Sequence, residues 1–136
     1  IALPQGVIPR RAAVTIEMDI KPDDTTGQQV IIANRHYYPG SLSVYTEDGV
    51  LKADYGSRFG VSRTGLDSGL KLPAGQWSHL TIRYDLQNIV FEVNGQASKK
   101  LPAQGPGLYD TASVVGGFGD NWFQGEIKSL RIAHGS

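Results

Sequence analysis

Hydrophobic and polar residues alternate with period two over most of the chain. Val14, Ile16, Met18 and Ile20 fall on one side of a run whose other side is Thr15, Glu17 and Asp19. Successive side chains on a strand point to opposite faces, so this is a half-buried strand. Lys21 to Asp24 is expected to end it. Gln29 to Ala33 is a continuous apolar run and predicts a central strand. Leu42, Val44 and Thr46 form the inner face of a third. Asp48-Gly49 then predicts a tight hairpin, because both residues tolerate positive φ. Val50 to Tyr55 returns as the fourth strand, and Arg58 to Thr64 is the candidate fifth. Leu70 to Gly75 reads as an edge piece followed by a turn. Trp77 to Tyr84 is a strand with Leu80, Ile82 and Tyr84 on one face. Ile89 to Val93 follows, and Asn94-Gly95 is the strongest hairpin signal in the chain. A short strand returns through Gln96 to Leu101, Pro102 to Asp110 is loop, and Ala112 to Gly116 and Glu126 to Ala133 close the pattern. No window carries a capped helical period. Strands at this spacing predict an all-β fold, a sandwich or a barrel.

Composition narrows the functional classes. Gly 17 and Pro 7 supply turns for many short elements. Lys plus Arg equals Asp plus Glu at 13 each, so there is no electrostatic footprint for nucleic acid or an anionic membrane. With no cysteine there is no disulfide framework, thiol nucleophile or Cys-ligated zinc. No apolar run approaches the roughly 20 residues of a spanning helix.

Three segments together resemble the concanavalin A-like, laminin-G-like jelly-roll domains. They are Ala74 to Asp85 (AGQWSHLTIRYD), Ile89 to Gly95 (IVFEVNG) and Phe123 to Ile132 (FQGEIKSLRI). The resemblance is strong in the second half of the chain and rests on strand pattern alone in the first. It implies an antiparallel two-sheet β-sandwich, with Trp77 burying its ring at the sandwich edge and Gly125 letting the closing strand pass without a Cβ. It also implies a class that includes sugar-binding modules of secreted microbial glycosidases, laminin-type adhesion modules and true glycosidases.

Catalysis finds little support in the residues. Sandwich glycosidases of related fold carry three carboxylates on one strand face, and Glu17 and Asp19 begin such a pattern. Lys21 and Pro22 occupy the next positions, so the third carboxylate is missing. The plain reading of Glu17 and Asp19 is a solvated strand face. His36, His79 and His134 are scattered, with His79 read as structural, and no metalloprotease or nucleophile-elbow motif is present.

Sugar recognition needs a flat aromatic face for the C–H side of a sugar ring. It also needs planar polar groups that can hold vicinal hydroxyls. Two turn-rich stretches supply both. The first contains Arg35, His36, Tyr37 and Tyr38. The second contains Asp120, Asn121 and Trp122 behind Gly116, Gly117 and Gly119, with Phe123 assigned to the core. Arg58 joins the candidate set, while Tyr45, Tyr55 and Arg63 are weaker members that also fit a solvated outer face. Calcium is a possible structural ion, with Asp23, Asp24 and Asp110 as loop carboxylates, although no local ligand pattern supports it. The reading is therefore a non-catalytic carbohydrate-binding module over residues 1–136, cut from a larger protein. It would be secreted or on the cell surface, joined covalently to a glycoside hydrolase, and bound to a neutral oligo- or polysaccharide. A laminin-G-like protein-interaction module and a small glycosidase or lyase are the alternatives.

Overall fold

A computed structural model describes residues 2–3, 13–34, 42–56, 63–102, 113–115 and 123–134. The strands are β1 (Ala2–Leu3), β2 (Val14–Pro22), β3 (Gln28–Asn34), β4 (Leu42–Glu47), β5 (Val50–Gly56) and β6 (Arg63–Lys71), then β7 (Ser78–Tyr84), β8 (Asn88–Val93), β9 (Gln96–Ala97), β10 (Leu101–Pro102), β11 (Ser113–Val115) and β12 (Gly125–His134). They form two antiparallel sheets. The first has the order β1-β11-β3-β4-β5-β6. The second has the order β10-β8-β7-β2-β12, with β9 also on β8. The described residues contain no helix, and the architecture is a two-sheet antiparallel β-sandwich, as the resemblance implies.

The alternation along β2 is realised without a break, each inward residue buried and each outward one half-buried. Ile16, Met18 and Ile20 meet Ile32, Val44 and Leu51 of the facing sheet and Leu80, Ile82 and Phe91 of their own in one apolar core. Burying an aliphatic or aromatic side chain of this size is worth about 1.5–3 kcal/mol. The hydrophobic period therefore sets which face each strand turns inward. β3 is central in its sheet, as its apolar run implies. Both predicted hairpins are two-residue turns with positive φ throughout: Asp48 at 50° and Gly49 at 87°, Asn94 at 51° and Gly95 at 85°. That is the backbone that matches strand twist.

Three boundaries differ from expectation. β2 runs through Lys21 and Pro22, because the start of β12 pairs with it there, Gly125 opposite Pro22. β6 is described from Arg63 and takes in Leu70 and Lys71, while residues 58–62 of the expected fifth strand lie outside the described residues. A bulge carries it across the polar Asp67-Ser68-Gly69: Lys52 faces Asp67, and the next pair is Val50 with Lys71. Inside the bulge the Ser68 hydroxyl donates to the Leu51 carbonyl at 2.7 Å and accepts from the Leu70 N–H at 3.0 Å. β1 has two residues, too few to show a period.

Gly125 fits the closing-strand requirement. Its φ is 153°, and a Cβ there would stand 2.2 Å from the Lys21 carbonyl oxygen and 2.9 Å from Phe123 Cζ. Phe123 itself is buried in the core. Trp77 corrects the expectation of a buried ring. It is the exposed large hydrophobic among the described residues, with 39% of its surface accessible. Its register explains this: Trp77 has the parity of His79, on the face opposite Ser78, Leu80 and Ile82.

Candidate functional site

The strand register shows where the candidate loops are rooted. Ser113 pairs with Asn34, Asn34 with Leu42, Leu42 with Tyr55 and Tyr55 with Thr64, forming one row across an end of the first sheet. The segment 35–41 joins β3 to β4 from this row, and 57–62 joins β5 to β6 from the same row. Arg35, His36, Tyr37, Tyr38 and Arg58 lie outside the described residues. Their attachment points stand about 10 Å apart, two strand spacings.

Asp120, Asn121 and Trp122 also lie outside the described residues, and their segment is rooted elsewhere. It leaves β11 at Val115, which pairs with Ile32, and rejoins at Phe123 and Gln124. There the Gln124 N–H donates to Gln29 Oε1 at 3.1 Å, and the Asp23 N–H donates to the Gln124 carbonyl at 2.8 Å. Gln29 and Asn34 are separated by about 17 Å of extended chain. The two candidate stretches thus attach toward opposite ends of β3. Tyr45 is half-buried on the outer face of β4, opposite Lys52. The side chains of Tyr55 and Arg63 are outside the description.

Of the loop carboxylates considered for calcium, Asp24 closes a turn. Asp24 Oδ1 accepts the Thr26 N–H at 2.5 Å, and this holds the Asp24 carboxyl below its usual range. Asp110 is outside the described residues, among which no group of three or more metal-ligating side chains gathers. A cleft of about 540 Å³ lies between the β6 bulge and the stretch after β9, with Asp67, Gly69, Leu70 and Lys99 in its walls. No aromatic ring lines it.

The outer face of the second sheet holds a cluster that the sequence did not announce. The His79 ring stands between two carboxylates, Nδ1 3.0 Å from Asp19 Oδ1 and Nε2 3.5 Å from Glu17 Oε1. Asp19 and Glu17 come from β2 and His79 from β7, where Asp19 faces His79 directly. The two ring nitrogens point in opposite directions, so the three groups cannot converge on one metal ion. The Asp19 hydrogen bond pushes the His79 pKa up, and Glu17 adds to it. The same bond holds Asp19 below the ordinary carboxylate value. Arg131 Nη2 reaches Glu17 Oε2 at 3.8 Å, and Lys128 Nζ lies 4.1 Å from the centre of the Trp77 ring. Lys128 and Arg131 are three residues apart, and strict alternation would send them to opposite faces. A bulge inserts one residue between them, so Lys128 faces Asp19 and Arg131 faces Glu17. Only the parity of Trp77 could have signalled this cluster in the sequence.

The family model for the concanavalin A-like lectin/glucanases superfamily matches residues 1–135, and the chain belongs to that family. No curated protein matches it by sequence. Among solved structures it resembles domain 4 of AbnA, a GH43 extracellular arabinanase from Geobacillus stearothermophilus, in complex with arabinotriose. That likeness has TM-score 0.74 and 20% identity over 98% of this chain and 66% of the other. It resembles domains LG4-5 of the mouse laminin alpha1 chain at TM-score 0.76 and 16% identity, over 97% of this chain and 38% of that one. A protein of Bacteroides ovatus ATCC 8483 proposed to bind carbohydrate gives TM-score 0.72 and 18% identity, covering 92% and 39%. The chain therefore spans between 38% and 66% of the length of these solved chains.

Proposed function

We propose that this chain is a non-catalytic carbohydrate-binding module of a secreted or cell-surface protein, covalently joined to a glycoside hydrolase. Its role is to hold that enzyme on a neutral polysaccharide. The observation that carries the reading is the register of the first sheet. It roots the segment bearing Arg35, His36, Tyr37 and Tyr38 beside the segment bearing Arg58. Segments that carry guanidinium and phenol groups and share one sheet end as their root offer the pairing that sugar recognition uses. The likeness to an arabinanase domain held with arabinotriose supports the same reading. Binding would act by raising the local concentration of the attached enzyme on its substrate. Individual affinities are expected at micromolar or weaker, about -8 kcal/mol or less in magnitude.

Calorimetric titration of the folded chain against neutral polysaccharides, arabinan among them, tests this. Heat of binding that falls about tenfold in affinity on Tyr38→Ala supports the site at the Asn34 end. The same loss on Trp122→Ala alone would move the site to the other end of β3. Absence of binding across the panel, with a cooperative melt intact, sinks the proposal. The likeness to mouse laminin domains favours a second reading, a protein-interaction module. Capture of a defined extracellular protein alongside a blank glycan panel would favour it.

A further inference from the structure

Trp77 is an expensive residue to leave in water. An indole offers a large apolar area, yet here it lies just before β7 with 39% of its surface accessible. Lys128 Nζ stands over the ring at 4.1 Å. Among the described residues Lys128 makes no ion pair, whereas Arg131, His79 and Arg83 each reach a carboxylate. The indole keeps accessible surface, and the ammonium over it forms no ion pair among the described residues, so a sugar that stacks on this ring meets a cation already in contact with it.

The surrounding charges decide what this ring and its cation take. Lys21 and Glu126 face each other across β2 and β12 and cancel. Arg83 pairs with Glu92 of β8 and cancels as well. That leaves Glu17 and Asp19 against Arg131, Lys128 and His79. Asp19 lies between His79 on one side and Lys128 on the other, opposite both in register. With a neutral imidazole, the two carboxylates balance two cations. With an imidazolium, the same two carboxylates face three cations, Asp19 is satisfied by His79, and the charge on Lys128 is left over.

We propose that the outer face of the second sheet, centred on Trp77 and Lys128, is a second ligand surface that takes a carboxylate-bearing sugar. The indole stacks on the C–H side of a uronic acid ring, and the Lys128 ammonium pairs with its carboxylate. His79 positions this exchange by taking over Asp19 when protonated, so the surface binds best in mild acid. This surface lies on the sheet opposite the Asn34 end and does not depend on the neutral-polysaccharide site proposed above.

Titration of the full chain with tetragalacturonate tests the proposal, with a neutral galactose oligomer as control. At about pH 5.5 the uronate binds and the neutral oligomer does not bind at this face, and raising the pH to about 8.5 weakens the uronate about tenfold as the imidazole deprotonates. Trp77→Ala abolishes uronate binding, and Lys128→Gln weakens it about tenfold or more. His79→Gln flattens the pH dependence between those two values. Both Trp77 and Lys128 are exposed, so the variants fold, and a thermal melt verifies it. None of the three changes affinity for the neutral polysaccharide held at the other site. Uronate affinity unchanged in both Trp77→Ala and Lys128→Gln overturns the proposal, as does the lack of uronate binding by the folded protein at the acidic pH.

Discussion

The two faces of β2 obey different rules. Its inner residues, Val14, Ile16, Met18 and Ile20, are at most 1% exposed and belong to the apolar core. Its outer residues, Glu17 and Asp19, keep 31% of their side-chain surface in solvent and are held by polar partners, chiefly the His79 ring. The inner face is fixed by shape, since interiors are packed as densely as organic crystals. The outer face is fixed by charge in water, where an ion pair is worth little and is easily exchanged. Stability and chemistry are thus carried by the same strand on opposite sides. The outer side can change its partners without disturbing the fold.

Emptying the inner face should produce the largest effect. Phe91 is fully buried in the second sheet, and Phe91→Ala is expected to cost about 3–5 kcal/mol in a denaturant melt. A value near zero would mean that the core is not the packed layer described above. Gly125→Ala comes next, because its Cβ would fall 2.2 Å from the Lys21 carbonyl oxygen. A loss of about 2–3 kcal/mol is expected as β12 is pushed off β2. Asn94→Ala tests the hairpin between β8 and β9. Asn94 holds φ 51°, and its Oδ1 accepts the His79 N–H at 2.8 Å. Losing that bond while keeping a left-handed backbone is expected to cost about 1–2 kcal/mol.

The outer face should give the smallest change and the only one that depends strongly on pH. His79 has a raised pKa, so its contribution is complete below the unfolded value of about 6.5 and fades as pH rises through the folded value. Asp19 has a lowered pKa, so its contribution is lost as pH falls through the folded value, below 3.8. The pair therefore stabilises most between about pH 4 and 6.5. The difference in melting temperature between the protein and His79→Gln should peak in that window and shrink toward alkaline pH. A difference that grows above neutrality would break the contrast between the faces.

What the sequence disclosed follows the same division. The inner face was legible because burial imposes a strict period, as along β2, and because Asp48-Gly49 and Asn94-Gly95 allow few backbones other than a tight turn. Gly125 was legible through the closing-strand motif that carries the family resemblance. The outer face was not. The Asp19–His79 contact joins residues sixty positions apart, and only strand adjacency creates it. The alignment of Lys128 with Arg131 needs an inserted residue, which a period-two reading hides. Trp77 was misread because its motif suggested burial while its parity pointed outward. The roots of the two candidate loops at different ends of β3 were likewise hidden, since loop composition carries no register.

The bulge in β6 has a consequence for assembly. β6 is the last strand of its sheet, and such a strand ordinarily offers its backbone donors to a neighbouring molecule. Here the Gly69 N–H is taken by Asp67 Oδ1 and the Leu70 N–H by the Ser68 hydroxyl. A second copy laid along this stretch would find its ladder interrupted where it needs continuity. Copies crowded side by side then sit close together without zipping into a continuous sheet.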